Sequence, residues 1–160
     1  MTTARAFDRS KTILSRMCAV GAVTLMLTLS GCVTAEGGVW GDMSRAVETT
    51  TSAVKSVSNT FRQVQEGTTL TTVAETNCEE MFKQVEKSNK QIYGLKVDSD
   101  AQSEARQKVL DELSGAAKAI ANAQDSIEGT SSDSPEQLDA ELSDAVERLS
   151  ALEDELEARQ

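Results

Sequence analysis

Thiols offer the widest range of chemistry in this sequence, and there are three of them, at Cys18, Cys32 and Cys78. A cysteine reacts as its thiolate, which a neighbouring histidine usually generates, and the chain contains no histidine. Lys83 and Lys87, the bases that follow Cys78 most closely, are poor substitutes. We therefore expect Cys78 to be a buried structural residue, with an intermolecular disulfide or another partner as the open alternative.

Carboxylates are abundant, but their spacing favours no metal site. Without histidine, His-based zinc sites and the Glu-x-x-His pairs of di-iron bundles are excluded. The segment from Asp98 to Glu104 looks slightly like a calcium loop, yet Ser103 and Val109 stand where such a loop needs Gly and Glu. Few aromatic residues are available to line a carbohydrate cleft. We expect no enzymatic activity, no metal and no dissociable cofactor.

The charge of the chain is strongly asymmetric. Positions 1–31 hold four basic residues and one acidic residue, so removing them changes the net charge from −10 to −13 for the part that begins at Cys32. Nucleic acids and anionic lipid head groups both need phosphate neutralisation by Lys and Arg. Such an acidic chain is therefore not expected to bind nucleic acid.

The N-terminal segment is typical of an export signal. Residues 1–16 are polar and net basic, and Met17 to Leu29 form a run of 13 residues without charge. A transmembrane helix needs ~20 apolar residues, so this run is too short to span a bilayer comfortably. A basic stretch followed by an apolar run of this length fits a secretory signal peptide.

The signal ends in a specific motif, Leu29-Ser30-Gly31-Cys32. It resembles the lipobox of bacterial lipoproteins at all four positions. The resemblance implies that Leu29, Ser30 and Gly31 are recognised by a dedicated signal peptidase. It also implies that Cys32 becomes the new N-terminus, carrying a covalent diacylglycerol and, optionally, an N-acyl chain such as palmitate.

This resemblance also predicts the location and the division of the chain. We expect a protein anchored by lipid on the extracytoplasmic face of the cell membrane, or in the outer membrane of a cell that has one. Residues 1–31 would be the signal peptide, 32–39 the lipidated tether, and 40–160 an acidic domain.

The acidic domain has the periodicity of helices. Apolar residues recur at alternating spacings of three and four, which places them along one face of a helix. Four such stripes follow one another: Trp40, Met43, Val47, Thr50, Val54, Val57, Phe61 and Val64; Ala74, Cys78, Met81, Val85, Ser88, Ile92 and Leu95; Val109, Leu113, Ala116, Ile120, Ala123 and Ile127; Leu138, Leu142, Ala145, Leu149, Leu152 and Leu156. The pattern predicts an all-α fold, an antiparallel bundle of four helices.

Capping residues indicate where the helices begin. Thr72 to Glu75 reads as a capping box for the second helix, Asp98 or Ser99 as the cap of the third, and Ser134-Pro135-Glu136-Gln137 as the start of the fourth. Gly67 is the ambiguous boundary, because the Thr-rich stretch after it permits either a turn or one continuous helix. We favour the turn; the alternative is a bundle of three longer helices.

Acidic residues precede basic residues by four positions in several places, which is the favourable order for ion pairs on exposed helical faces. The expected pairs are Glu79–Lys83, Glu86–Lys90, Glu104–Lys108, Asp144–Arg148 and Glu155–Arg159.

Trp40 stands eight residues after Cys32 and also opens the first stripe, so a position at the bilayer interface and one in the core are equally reasonable.

These features favour a non-enzymatic role for the anchored domain, as an envelope scaffold or a module that binds another envelope protein. The alternative is a carrier that holds a small apolar ligand inside the bundle. Small residues on the third helix, at Ala116, Ala117, Ala121 and Ala123, are the feature that suggests such a space. The partner and the oligomeric state do not follow from the sequence.

Overall fold

The structure, a computed structural model, describes residues 37–159. The signal peptide, Cys32 and the three residues before it lie outside this range. The described residues form four helices: α1 (Gly38–Gln65), α2 (Thr71–Tyr93), α3 (Asp100–Ile127) and α4 (Pro135–Glu157). No strand occurs between residues 37 and 159. The all-α prediction and its four-helix version are confirmed.

The helices form an antiparallel bundle joined by short loops. Helices α1 and α3 each contact all three others, whereas α2 and α4 do not contact each other within the described range. The bundle is therefore flattened, with α1 and α3 close across its shorter diagonal. Each of these two helices has 28 residues, or about 42 Å at ~1.5 Å per residue. One end of the bundle holds the start of α1 and the α2–α3 loop. The other end holds the α1–α2 and α3–α4 loops.

The four predicted stripes face the interior. Every residue of the third and fourth stripes is buried, and the members of the first two are buried or packed against the core at its edge. Helix α1 also buries Ala46, Thr51 and Ala53, which lie beside its stripe. A helix that packs against three neighbours buries a wider face than a single stripe covers, which explains the additional residues.

Gly67 does end the first helix. Its φ is 67°, in the left-handed region that glycine adopts without strain. The N–H of Gly67 donates to the carbonyl of Val64, and the N–H of Thr68 donates to that of Gln63. This pair of bonds is the Schellman arrangement, and Gly129 ends α3 in the same way. The alternative of three longer helices is thus wrong.

Two of the predicted helix starts are confirmed and two boundaries are corrected. Ser99 caps α3, and Ser134 forms a full capping box with Gln137. The predicted capping box at Thr72 is wrong, because α2 begins two residues earlier, with Leu70 at its N-cap, and Leu70 provides no side-chain cap. Helix α1 begins at Gly38, so the last two residues assigned to the tether are helical.

Candidate functional site

The residues with the clearest predicted role are not in the described part of the chain. Leu29, Ser30, Gly31 and Cys32, the lipobox and lipidation residues, precede residue 37. Five residues separate Cys32 from Gly38, the first residue of α1, and a chain of that length reaches at most about 20 Å.

Cys78 is fully buried in the core and forms no disulfide. Burial raises the pKa of its thiol from 9.0 to about 11, and the negative charge of Glu128 adds to the effect. A thiol with such a pKa is protonated and weakly nucleophilic at neutral pH. The side chain therefore packs as a small apolar group, and an intermolecular disulfide at this position would require the bundle to open.

Two cavities formed by residues 37–159 are grooves at the outer surface of the bundle. A groove of about 620 Å³ runs between α1 and α2 and is lined by Arg45, Thr49 and Lys87 among others. A smaller one of about 320 Å³ lies between α2 and α3, where Phe82 and Ala117 form part of its wall. Neither groove brings together a set of groups suited to acid–base or nucleophilic catalysis.

The four alanines of α3 that suggested space for a ligand do not all lie in the core. Ala116 and Ala123 are buried members of the continuous hydrophobic core. Ala117 is half-buried beside the outer groove, and Ala121 is also half-buried. The small side chains of Ala116 and Ala123 thus belong to the packing of helix against helix.

Acidic side chains in the described part of the chain form no candidate metal site. Between residues 37 and 159, no group of three or more Cys, Asp or Glu residues is arranged to hold an ion. Ser99, within the segment that resembled a calcium loop, caps α3 by accepting a hydrogen bond from the N–H of Gln102. Where α1 faces α4, partial burial and the nearby charges of Glu48 and Glu157 raise the pKa of Glu153.

Three of the five predicted ion pairs are present: Glu79–Lys83, Glu86–Lys90 and Glu155–Arg159. The predicted pairs of Lys108 with Glu104 and of Arg148 with Asp144 are wrong. Lys108 instead bridges to Glu155, and Arg148 bridges to Glu112 at 3.1 Å. Both side chains reach across the α3–α4 interface, which a single-helix pattern does not reveal.

Trp40 lies at the edge of the core, half-buried and packed against it. The guanidinium of Arg159 lies 5.5 Å from the centre of its ring, within cation–π distance. The contact joins the first turn of α1 to the residues after α4. Trp40 therefore closes the end of the bundle at which α1 begins.

The most unusual surface is at the opposite end. We call the segment from Gly67 to Val73, which links α1 to α2, the distal tip. Here Leu70 is 71% exposed and Val73 is 55% exposed, although both are large apolar residues. Leu70 also occupies the N-cap position of α2, where Ser, Thr, Asp or Asn would satisfy free backbone N–H groups. At the distal tip, two apolar side chains are thus exposed to solvent and the start of α2 has no side-chain cap. Such a local departure from the usual rules of stable folding often marks a functional surface.

The distal tip is nevertheless hydrogen-bonded to its neighbours. The Thr68 hydroxyl donates to the carbonyl of Gln63 at 3.1 Å, and the N–H groups of Val73 and Ala74 both donate to the carbonyl of Leu70. One turn further along α2, Asn77 exchanges hydrogen bonds with Ser56 across the interface with α1. The exposed apolar side chains are therefore carried by a backbone whose polar groups are hydrogen-bonded within the bundle.

Sequence reasoning did not identify the distal tip. Leu70 and Val73 fall between two stripes, in a stretch interpreted as polar turn and helix cap. The available signal was their apolar type in a segment otherwise rich in threonine.

No family model, curated protein or solved structure matches this chain. Among residues 37–159, no helix is long and apolar enough to cross a bilayer.

Proposed function

We propose that this protein is a bacterial lipoprotein that holds a rigid, non-enzymatic binding module at the membrane. The complete Leu-Ser-Gly-Cys motif after a basic and then apolar leader supports lipidation of Cys32. One acyl chain gives marginal membrane binding, whereas the two chains of a diacylglycerol give stable anchoring. The proposed location is the extracytoplasmic face of the cell membrane, or the outer membrane where one exists.

The observation that carries the binding role is the placement of the distal tip. Helix α1 starts within about 20 Å of the proposed anchor and continues without a break to Gln65. Its length of about 42 Å separates the anchored end from Leu70 and Val73. A bundle attached in this way displays an apolar tip away from the bilayer, where a partner protein of the envelope can reach it.

The chemistry of the described residues supports a role without catalysis. The one thiol in this range is buried and protonated, and histidine is absent from the whole chain. The carrier alternative has no comparable support, because Ala116 and Ala123 are core residues and the cavities found are open grooves. The exposed apolar residues of the distal tip support binding of a partner protein instead.

Lipidation is tested by substitution of the proposed lipid-bearing cysteine. Cells expressing Cys32→Ala are expected to accumulate the full-length precursor and to incorporate no labelled palmitate into it. Cys18→Ala and Cys78→Ala are the matched controls, since each removes one thiol and should leave labelling intact. Labelling of Cys32→Ala at the level of the native chain would rule out the proposed anchor.

The binding surface is tested separately by photocrosslinking in intact cells. A photoreactive residue at position 70 or 73 is expected to give a discrete adduct with another envelope protein. The same residue at Glu147, an exposed position on the side of α4, serves as the control. Equal adducts at positions 70 and 147, or none at position 70, would contradict a role for the distal tip.

A further inference from the structure

The C-terminal half of α2 reverses the charge of the chain. Between residues 83 and 97 there are four lysines and one acidic residue, in a protein with a net charge of −10. Lys83, Lys87 and Lys90 follow one another at spacings of four and three, which places them on one face of the helix. Lys96 follows in the α2–α3 loop. We call these four residues the lysine face.

The lysine face is exposed and only partly neutralised. All four side chains are exposed. Lys83 pairs with Glu79, and Lys90 pairs at 3.4 Å with Glu86. Lys87 and Lys96 make no ion pair within residues 37–159.

An exposed aromatic side chain and several polar groups lie near the lysine face. Tyr93, the last residue of α2, is 78% exposed. The guanidinium of Arg106 donates to the carbonyl of Leu95 at 2.9 Å and so fixes the loop that carries Lys96. On the other side of Lys87, the groove between α1 and α2 adds the hydroxyl of Thr49 and the guanidinium of Arg45, which also pairs with Asp42. Hydrogen-bond donors and a second positive charge therefore lie beside Lys87, and an exposed aromatic ring ends the helix that carries it.

We propose that the lysine face binds the anionic phospholipid head groups of the membrane in which the protein is anchored. This inference rests on the proposed lipidation of Cys32. The chemistry favours a lipid surface because basic residues attract anionic head groups and because tyrosine prefers the membrane–water interface. An acidic protein surface would satisfy the charges equally, but it would not account for their place at the end of the bundle that lies within reach of the tether.

The consequence is a preferred orientation of the anchored bundle. A chain with thirteen excess negative charges after Cys32 is repelled from an anionic bilayer as a whole. The lysine face is a local exception, so it turns α2 toward the bilayer and the acidic α4 away from it. Each lysine near such a surface is expected to shift the equilibrium toward this orientation about fivefold.

The test compares lysine reactivity on two kinds of vesicle. The exported, lipidated protein is reconstituted into vesicles of phosphatidylcholine alone or mixed with phosphatidylglycerol, and acetylation of each lysine is followed by mass spectrometry. Slower acetylation of Lys87 and Lys96 on the anionic vesicles, relieved by high salt, is the expected result. Lys55 and Lys118 lie on other helices, are exposed and make no ion pair in the described range, so they are internal controls.

A matched pair of variants sharpens the comparison. Lys87→Gln with Lys96→Gln should remove the protection of Lys90, whereas Lys55→Gln with Lys118→Gln removes the same charge and should preserve it. Equal acetylation on both vesicle types overturns the proposal. Protection that appears only when other envelope proteins are added also overturns it, in favour of an acidic protein surface. The mass of the N-terminal peptide reports lipidation independently, so loss of the anchor is distinguished from an inactive lysine face.

Discussion

Replacing Leu70 by serine should stabilise the bundle, although Leu70 is a large apolar residue. Its backbone angles, φ −80° and ψ 140°, lie close to those of Ser134 at the start of α4, φ −74° and ψ 150°. The Ser134 hydroxyl accepts a hydrogen bond from the N–H of Gln137 at 3.2 Å. A serine at position 70 therefore has the right backbone to cap α2, which now has no side-chain cap. Its hydroxyl can accept from the N–H of Thr72, because the N–H of Val73 already donates to the carbonyl of residue 70.

The magnitude follows from the capping term and the exposure of the side chain. A Ser cap contributes about 1 kcal/mol relative to a residue that cannot cap. Leu70 is 71% exposed, so its removal loses little buried apolar area. For a domain of this size, about 1 kcal/mol corresponds to a rise in Tm of about 4 °C. Ser134→Ala removes an existing cap and should lower Tm by a similar amount.

Circular dichroism at increasing temperature measures both variants against the native protein. A lower Tm for Leu70→Ser would refute the reasoning, because it would mean that Leu70 contributes packing that its exposure does not indicate. The same variant should give fewer photocrosslinked adducts from position 73. A substitution that raises stability and reduces partner capture separates a binding role for Leu70 from a structural one.

Four further predictions concern the core and the backbone. The free energy of unfolding should fall by about 2–3 kcal/mol between pH 9 and 11, since the Cys78 thiol ionises near pH 9 when unfolded but near 11 when folded. Cys78→Ala should lack this part of the decline in pH-dependent denaturation, and an identical decline would contradict the assignment. Leu113→Ala should cost about 2–5 kcal/mol in urea denaturation because Leu113 is fully buried, whereas Leu70→Ala should cost under about 0.5. Gly115→Ala should stabilise α3 by about 1 kcal/mol, since a Cβ there meets only Arg148 at 3.9 Å. Gly67→Ala should lower the free energy of unfolding by about 1–2 kcal/mol because the φ of Gly67 is positive. A less stable Gly115→Ala variant or a more stable Gly67→Ala variant would refute the corresponding argument.

Periodicity was sufficient to predict the four helices and most of the core, although it missed buried small residues beside the stripes, among them Ala105 and Ala119. Heptad-like spacing identified the residues of the third and fourth stripes without an error, because a helix that packs along a bundle must bury one continuous face. Ser134 and Gln137 were equally informative, since a capping box depends on neighbours in sequence. Such local determinants can be seen in a single sequence.

The errors arose where the structure depends on more than the spacing of apolar residues in one helix. Lys108 and Arg148 were assigned to partners on their own helices, but each found a carboxylate on the neighbouring helix instead. The cap of α2 was placed at Thr72 from its type alone, whereas the Schellman turn at Gly67 leaves only three residues before the helix resumes at Thr71. The direction of a side chain across an interface depends on helix rotation, which the spacing of apolar residues specifies only coarsely.

The two proposed binding surfaces lie on the helix that contributes least to the core. Helix α2 buries five of its 23 residues, whereas α1 buries ten of 28 and α3 buries eight of 28. Its first turn carries the distal tip and its last turns carry the lysine face. Helix α4 has the same length and buries six residues, yet it has a full capping box and none of the three large exposed apolar residues.

This difference gives α2 a distinct role in the bundle. Because α2 does not contact α4, its outward face can carry charges and apolar groups that a more central helix would have to bury or pair. Substitutions on that face should therefore change membrane orientation or partner capture with little effect on the unfolding free energy. Substitutions of the buried residues of α1 and α3 should lower stability first and affect binding only as a consequence.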